Sequence, residues 1–393
     1  GLSVSDAAME ARWSFEQGGA RNGDRLGIAS GDSLVAFDLE GLEREGEWPL
    51  DAAAVAVDGD LHAVFTADAR GRIHRLDTEA LDGRRHLTAG AVSPQTSLWA
   101  NGPGAPVERL LATDTSLVAV TQRSITSYDP ETGAQLAERL AVGTADLLQL
   151  PRVERLVVET DEVLDAEDEA ATIATALYDA PAPDSLAPVG DAPDPVWSGA
   201  RDEIAERLQG GGPTVIAAWL DDAATDVLLE AIEAGDLPGA SISSGPLLAV
   251  ADVGGIDILD ARTLDILDEL DTGAPVTALM LEEDGGDEPT LYAAAGDAIE
   301  HVRVSDDGLG LPETMWMPGT VEDLAWNGAA GLSHALGEAP DGGPTAYVVE
   351  PRGAAVFADV RLPFDAQLIL ADTQKQRPHD DRTRLLAVAA DGG

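Results

Sequence analysis

One unit recurs along this chain and limits what it can fold into: a strand, an aspartate, a short turn and a returning strand. Pro246–Leu270 shows it most fully. There "LLAV" is an apolar run, Gly254 and Gly255 punctuate it, "GIDILD" alternates, "ARTL" turns the chain and "DILDEL" returns. Asp32–Trp48, Gly71–Leu87 and Arg123–Leu140 repeat the pattern, with Asp38, Asp77 and Asp129 in the place of Asp260. Asp297–Met317 and Gly353–Ile369 are weaker versions. Short β-rich runs between Gly- and Asp-bearing turns are the mark of an antiparallel meander. The aspartate has a physical role in it, because its carboxylate accepts backbone N–H groups from the turn that follows.

A further strand precedes each copy, as at Leu26–Ser30, Leu61–Ala67, Ser116–Val120, Leu247–Val250, Leu291–Ala295 and Ala346–Glu350. Val107–Ala112, Val276–Leu281 and Val321–Trp326 lie just ahead of these and supply a fourth strand. Visible copies are spaced by roughly 40 to 55 residues, the size of one four-stranded propeller blade. A lone meander cannot bury both faces, and stacking sheets around an axis solves that. The expected fold is therefore all-β: a seven-bladed β-propeller, or eight-bladed if the half-repeat at Arg384–Gly393 is its own blade. Residues 1–393 would form a single propeller closed by strands from both termini.

The rhythm breaks between about 141 and 245. Val153–Glu159 and Thr214–Leu220 read as strands, and Ala180–Pro195 as a Pro-rich linker. Helices are expected over 164–179, over 200–209 before Gly210, and from Asp221 or Asp222 to Gly235. Residues 160–240 are thus expected to be a helical, Pro-rich insertion within one blade, the rival being a small separate α/β domain.

With 72 acidic against 24 basic residues the formal charge is -48, so nothing here would neutralise phosphates and nucleic acid is an unsuited partner. The same charge disfavours anionic lipid and fits a salt-adapted, halophilic-like or acid-tolerant composition. No run approaches the length of a bilayer span. There is no cysteine, which removes disulfides, thiolate metal sites and cysteine nucleophiles together.

No catalytic motif is strong. Gly210–Pro213 is Gly-rich but sits between a helix and a strand, the reverse of a phosphate loop. "GLSHA" at 331–335 nearly matches a nucleophile elbow, but no helix follows it, so Ser333 and His334 read as strand residues. The histidines at 62, 74, 86, 301, 334 and 379 have no metal-ligand spacing, although His62, His74 and His301 lie in expected strands that a ring would bring together. Glu282, Asp284 and Asp287, with Glu283 and Glu288, offer oxygens to a calcium ion but lack the regular loop order; a solvated loop is the plainer reading. Trp48 and Trp316 follow turns at comparable points of their repeats. They are candidates for a surface on which a sugar or peptide stacks, beside the plainer reading of inter-sheet packing.

Residues 123–133 and 254–264 resemble the repeat of quinoprotein-like and YVTN-type β-propellers, although Leu264 stands where that repeat has Gly. Those families are mostly exported, so the resemblance implies an extracytoplasmic location. Their quinone-dependent alcohol dehydrogenases use a vicinal cysteine pair, absent here. The tail from Val348 resembles extracytoplasmic regions of bacterial membrane glycosyltransferases related to protein O-mannosyltransferases, which implies attachment to a membrane protein. Together these give the expected function: a non-catalytic extracytoplasmic propeller domain that binds protein or glycan, accessory to a membrane-bound glycosyltransferase, with no cofactor. The alternative is a glycan hydrolase or lyase using carboxylates at the propeller mouth.

Overall fold

The computed structural model describes residues 9–17, 20–30, 33–38, 43–49, 54–58, 63–68, 70–77, 97–100, 102–113, 115–160, 187–188, 212–220, 222–235, 237, 239–282, 289–305, 308–327, 332–350, 355–362, 366–371 and 385–389. They form seven antiparallel sheets. The first sheet joins β1 (Met9–Gln17), β2 (Ala20–Ser30), β3 (Ser33–Asp38) and β4 (Glu43–Pro49) in that order. The second joins β5 (Ala54–Asp58), β6 (Ala63–Ala67), β7 (Ile73–Asp77) and β8 (Ser97–Ala100). The third joins β9 (Arg109–Ala112), β10 (Leu117–Val120), β11 (Ser124–Tyr128) and β12 (Gln135–Leu140).

The fourth sheet is built from β13 (Asp146–Thr160), β14 (Ala187–Pro188), β15 (Gly212–Ala218), β16 (Ala240–Ala251), β17 (Gly255–Asp260) and β18 (Ile266–Asp271). Its spatial order is β14-β15-β13-β16-β17-β18, and helix α1 (Asp222–Ala234) packs on β16. The fifth has β19 (Val276–Glu282), β20 (Thr290–Ala295), β21 (Ala298–Ser305), β22 (Gly308–Leu309) and β23 (Glu313–Trp316), the last two both pairing with β21. The sixth runs β24 (Thr320–Asn327), β25 (Leu332–Glu338), β26 (Pro344–Glu350), β27 (Ala355–Arg361). The seventh pairs β28 (Ala366–Ala371) with β29 (Leu385–Ala389).

The sheets stack in chain order, first strand on first strand: β1 on β5, β5 on β9, β9 on β13, β13 on β19, β19 on β24 and β24 on β28. This explains why the second strands are apolar runs rather than alternating ones. In β10, Leu117 and Ala119 face the second sheet while Val118 and Val120 face the fourth. In β16, Leu248 and Val250 face the third sheet while Leu247, Ala249 and Ala251 face the fifth. In β20, Tyr292 and Ala294 face the sixth sheet and Leu291, Ala293 and Ala295 face the fourth. Each large aliphatic chain buried this way contributes roughly 1.5–3 kcal/mol.

These are separate open sheets and not the blades of a closed ring. The seven- or eight-bladed β-propeller is therefore corrected, and the resemblance to quinoprotein-like and YVTN-type propellers goes with it. Two observations overturn it. Among the described residues no strand pairing joins the first sheet to the last; the N-terminal strand β1 pairs with its neighbour β2, and β29 with β28. The sheets are also unlike in size, with four, four, four, six, five, four and two strands in chain order. Pairing β1 to the next strand closes a very short loop, whereas pairing it to the far end of the chain would close one of several hundred residues at greater entropic cost. Within the interval 160–240, β15 adds to β13, and the expected strand at Thr214–Leu220 and helix ending at Gly235 are present as β15 and α1. The helices expected over 164–179 and 200–209 lie outside the described residues.

The turn aspartates behave as their chemistry requires. Asp129 accepts from the amides of Glu131 (3.1 Å) and Thr132 (2.8 Å) and from the Thr132 hydroxyl. Asp260 accepts from the amides of Arg262 (2.9 Å) and Thr263 (2.8 Å) and from the Thr263 hydroxyl.

Candidate functional site

In such meanders, the turn from second to third strand and the segment leading to the next sheet fall at the same end. Between the third and fourth sheets these are residues 121–123, 141–145 and 252–254. Thr121 receives the amide of Ser124 on its hydroxyl at 3.0 Å, which fixes the first turn. Asp252 accepts the amides of Gly254 (2.6 Å) and Gly255 (3.0 Å), which fixes the second. Gly255 takes φ 146° there, and a Cβ would lie 2.1 Å from the Leu270 carbonyl oxygen, so no other residue fits. The connecting segment is tied at both ends: the Ala141 amide donates to the Arg123 carbonyl and the Ala145 amide to the Ala251 carbonyl, each at 2.9 Å.

This rigid frame holds three apolar side chains in solvent. Leu140 is 84% exposed, Val142 72% and Val253 68%. Val253 leans over Gly143, its Cγ1 3.5 Å from where a Cβ would stand. Beside them the carboxyls of Asp252, Asp257 and Glu269 crowd together. Burial raises the Asp257 carboxyl above its ordinary value, the charges of Asp252 and Glu269 raise it further, and Arg139 offsets part of the rise. The result is an apolar knob with an acidic fringe.

At the same end, a polar line ties the first strands of successive sheets. Arg109 of β9 donates from Nη1 to Asp146 Oδ1 of β13 at 2.7 Å. The second oxygen of Asp146 accepts the Leu279 amide of β19 at 2.7 Å, and the Thr277 hydroxyl donates to the Val321 carbonyl of β24 at 3.0 Å.

The sequence-derived candidates are dispersed. Glu282 is buried at the end of β19, where it accepts from the Tyr292 hydroxyl at 2.5 Å; Asp284 and Asp287 lie outside the described residues. Among the described residues no group of three His, Asp or Glu side chains is placed to hold a metal ion. Trp316 is exposed at the end of β23, whereas Trp48 lies in β4 opposite Leu34, its side chain outside the described residues. The strands that carry them belong to the first and fifth sheets, which are not neighbours in the stack. His74 stands 3.4 Å from the buried Asp68 in the second sheet. His301 stacks on Tyr292 at 5.6 Å and sits 3.4 Å from Glu313 in the fifth. His62, His86 and His379 lie outside the described residues. Ser333 and His334 are consecutive in β25 and so project to opposite faces, which leaves no dyad. Sequence reasoning missed the exposed knob. Val142 beside Gly143, and Val253 between Asp252 and Gly254, are apolar residues inside turn chemistry and were the available signal.

His334 is buried opposite Ala325 and Val348, and its Nδ1 has no hydrogen-bond partner. Burial holds its pKa below 6.5. The folded state therefore binds the proton less well than the unfolded chain. The stability at stake is complete above about 6.5 and is lost as pH falls from there through the lower folded value. Replacing His334→Leu should flatten that segment of the stability–pH curve, so that the variant loses less stability than the parent between pH 7 and pH 5. Urea unfolding midpoints of both proteins across that range measure it, and parallel curves would show that His334 carries none of the dependence.

No known family's sequence pattern matches this chain, and no curated protein sequence does either. Solved structures do match. The chain is similar to one in a crystal structure of a mitotic checkpoint complex, with a TM-score of 0.52 and 11% identity over 100% of this chain and 86% of that one. At that identity the likeness concerns the fold alone.

Proposed function

We propose that this chain is a protein-interaction module that receives a partner on the turn cluster around Leu140, Val142 and Val253. The observation that supports it is the exposure of Val142 and Val253 on adjoining turns, held by Asp252, Thr121 and backbone hydrogen bonds, with exposed Leu140 at the end of β12 beside them in the chain. Scattered exposed apolar residues need no explanation, whereas a contiguous group on a fixed frame marks an interaction site. Rigid presentation also lowers the ordering cost of binding. The fringe of Asp252, Asp257 and Glu269, on a chain of charge -48, favours a partner surface with lysine or arginine around an apolar centre. Nucleic acid has no place in this proposal. It requires no ring and no axial opening, and so replaces both the propeller domain accessory to a glycosyltransferase and the glycan-cleaving enzyme with carboxylates at a propeller mouth.

The test places a photocrosslinking residue at Val253 in the cells that make the protein, with the same residue at exposed Glu233 of α1 as control. One discrete protein adduct is expected at Val253 and none at Glu233. With the photocrosslinking residue kept at position 253, the double variant Leu140→Ser, Val142→Ser should abolish the adduct while changing stability by no more than about 0.5 kcal/mol per site. Equal adducts from both positions, or none, would remove the basis of the proposal.

A further inference from the structure

We propose that β27 is a docking edge to which an extended, lysine- or arginine-bearing segment of a partner protein adds as a further strand. This surface is distinct from the turn cluster and stands on its own observations. β27 ends its sheet, paired with β26 on one side and with no strand on the other among the described residues. Every residue from Phe357 to Arg361 is exposed, with Phe357 at 61% and Val360 at 56%. A register shift between Val348 and Val349 leaves Phe357 without a cross-strand partner.

Exposed edges are commonly blunted with charge, as on β18 with Asp268, Glu269 and Asp271. β27, "AVFADVR", keeps two large apolar side chains in solvent instead. An unpaired edge supplies main-chain hydrogen bonds to an added strand, and exposed side chains beside it supply selectivity.

The charges choose the occupant. Asp359 lies on the strand, Glu350 ends the neighbouring strand β26, Asp341 lies in the turn that precedes β26, and the one cation of β27, Arg361, is already paired with Asp341. A second copy of a chain with charge -48 would meet repulsion here, and a cationic segment attraction.

The test uses the full chain and two synthetic peptides, one alternating Val and Lys, the other alternating Val and Glu. Fluorescence anisotropy should show the Val/Lys peptide binding at least about tenfold more tightly, and its binding should slow amide exchange along β27. The variant Phe357→Asp, Val360→Asp separates docking from general attraction. It is more acidic, so a merely electrostatic association would tighten, whereas strand addition should weaken by about tenfold at an unchanged melting temperature. Tighter or equal binding by the variant, equal binding of the two peptides, or self-association that the variant abolishes would each overturn the proposal.

Discussion

Replacing Arg155 with leucine should destabilise the chain by about 3–5 kcal/mol, because it strands a buried carboxylate. Arg155 of β13 and Asp260 at the end of β17 form an ion pair through Nη1 and Oδ2, with both side chains buried. β16 lies between their strands, and the guanidinium crosses it at Gly245, where a Cβ would come within 2.4 Å of the guanidinium carbon. The other oxygen of Asp260 is committed to the amides of Arg262 and Thr263. The same turn reaches β15 as well, since Asp265 accepts the Thr263 hydroxyl at 2.7 Å and the Val215 amide at 2.8 Å. The largest sheet is thereby cross-linked by one cation and two carboxylates. Asp260→Asn should cost somewhat less than Arg155→Leu, since asparagine keeps an acceptor for the turn amides. The double variant should recover much of the loss, giving a coupling of about 2–3 kcal/mol in a urea-unfolding cycle. The coupling should persist in high salt, which screens surface charges and not buried ones. Additive single effects would show that the pair is not a unit.

What was legible in the sequence was local. The turn aspartates could be read because an Asx turn needs only its own few residues, as Asp129 and Asp260 show. Leu264 shows where that reading stops. It stands in place of Gly133 and adopts the same left-handed backbone, φ 59° against 73°. Such a conformation costs an ordinary residue about 1–2 kcal/mol. Burial of the Leu264 side chain against the third sheet, among Val118, Val120 and Ile125, offsets it. The apolar runs in β10, β16 and β20 were also legible as strands covered on both faces. The order in which sheets close was not. The pattern reads Thr214–Leu220 as a strand, but nothing in it names its neighbour, and the strand there pairs with β13 in a way that breaks a regular ring. The Arg155–Asp260 pair was hidden for the same reason. Its one trace is Gly245 inside β16, since a glycine within a strand often marks a close approach by something else. The exposed knob was obscured because Val253 and the buried Ile256 look alike as residues, and only the hairpin turn at Asp252–Gly255 separates them.

Asp146→Ala should cost about 2–4 kcal/mol, the largest expected effect of any single truncation among the polar ties between sheets. Asp146 opens β13 and accepts from three donors on three sheets: Arg109 Nη1 at 2.7 Å, the Leu147 amide at 2.8 Å and the Leu279 amide at 2.7 Å. Alanine would leave the Leu279 amide, on the inner edge of β19, without an acceptor. Arg109 is partly exposed and can turn to water, so less is lost on its side. Burial raises the Asp146 carboxyl above its ordinary value, more than the Arg109 charge and the two amides lower it. The sign follows. The native state holds the proton more tightly than the unfolded chain, so this contribution is complete below about 3.8 and is lost as pH rises through the folded value. Asp146→Asn cannot ionise and escapes that loss. Its deficit relative to the parent should therefore shrink as pH rises from 3.5 to 6, measured as paired urea midpoints. A deficit that grew with pH would mean that the ion pair with Arg109 outweighs burial, and that the first strands of the third and fourth sheets are held together by charge rather than by hydrogen bonds alone.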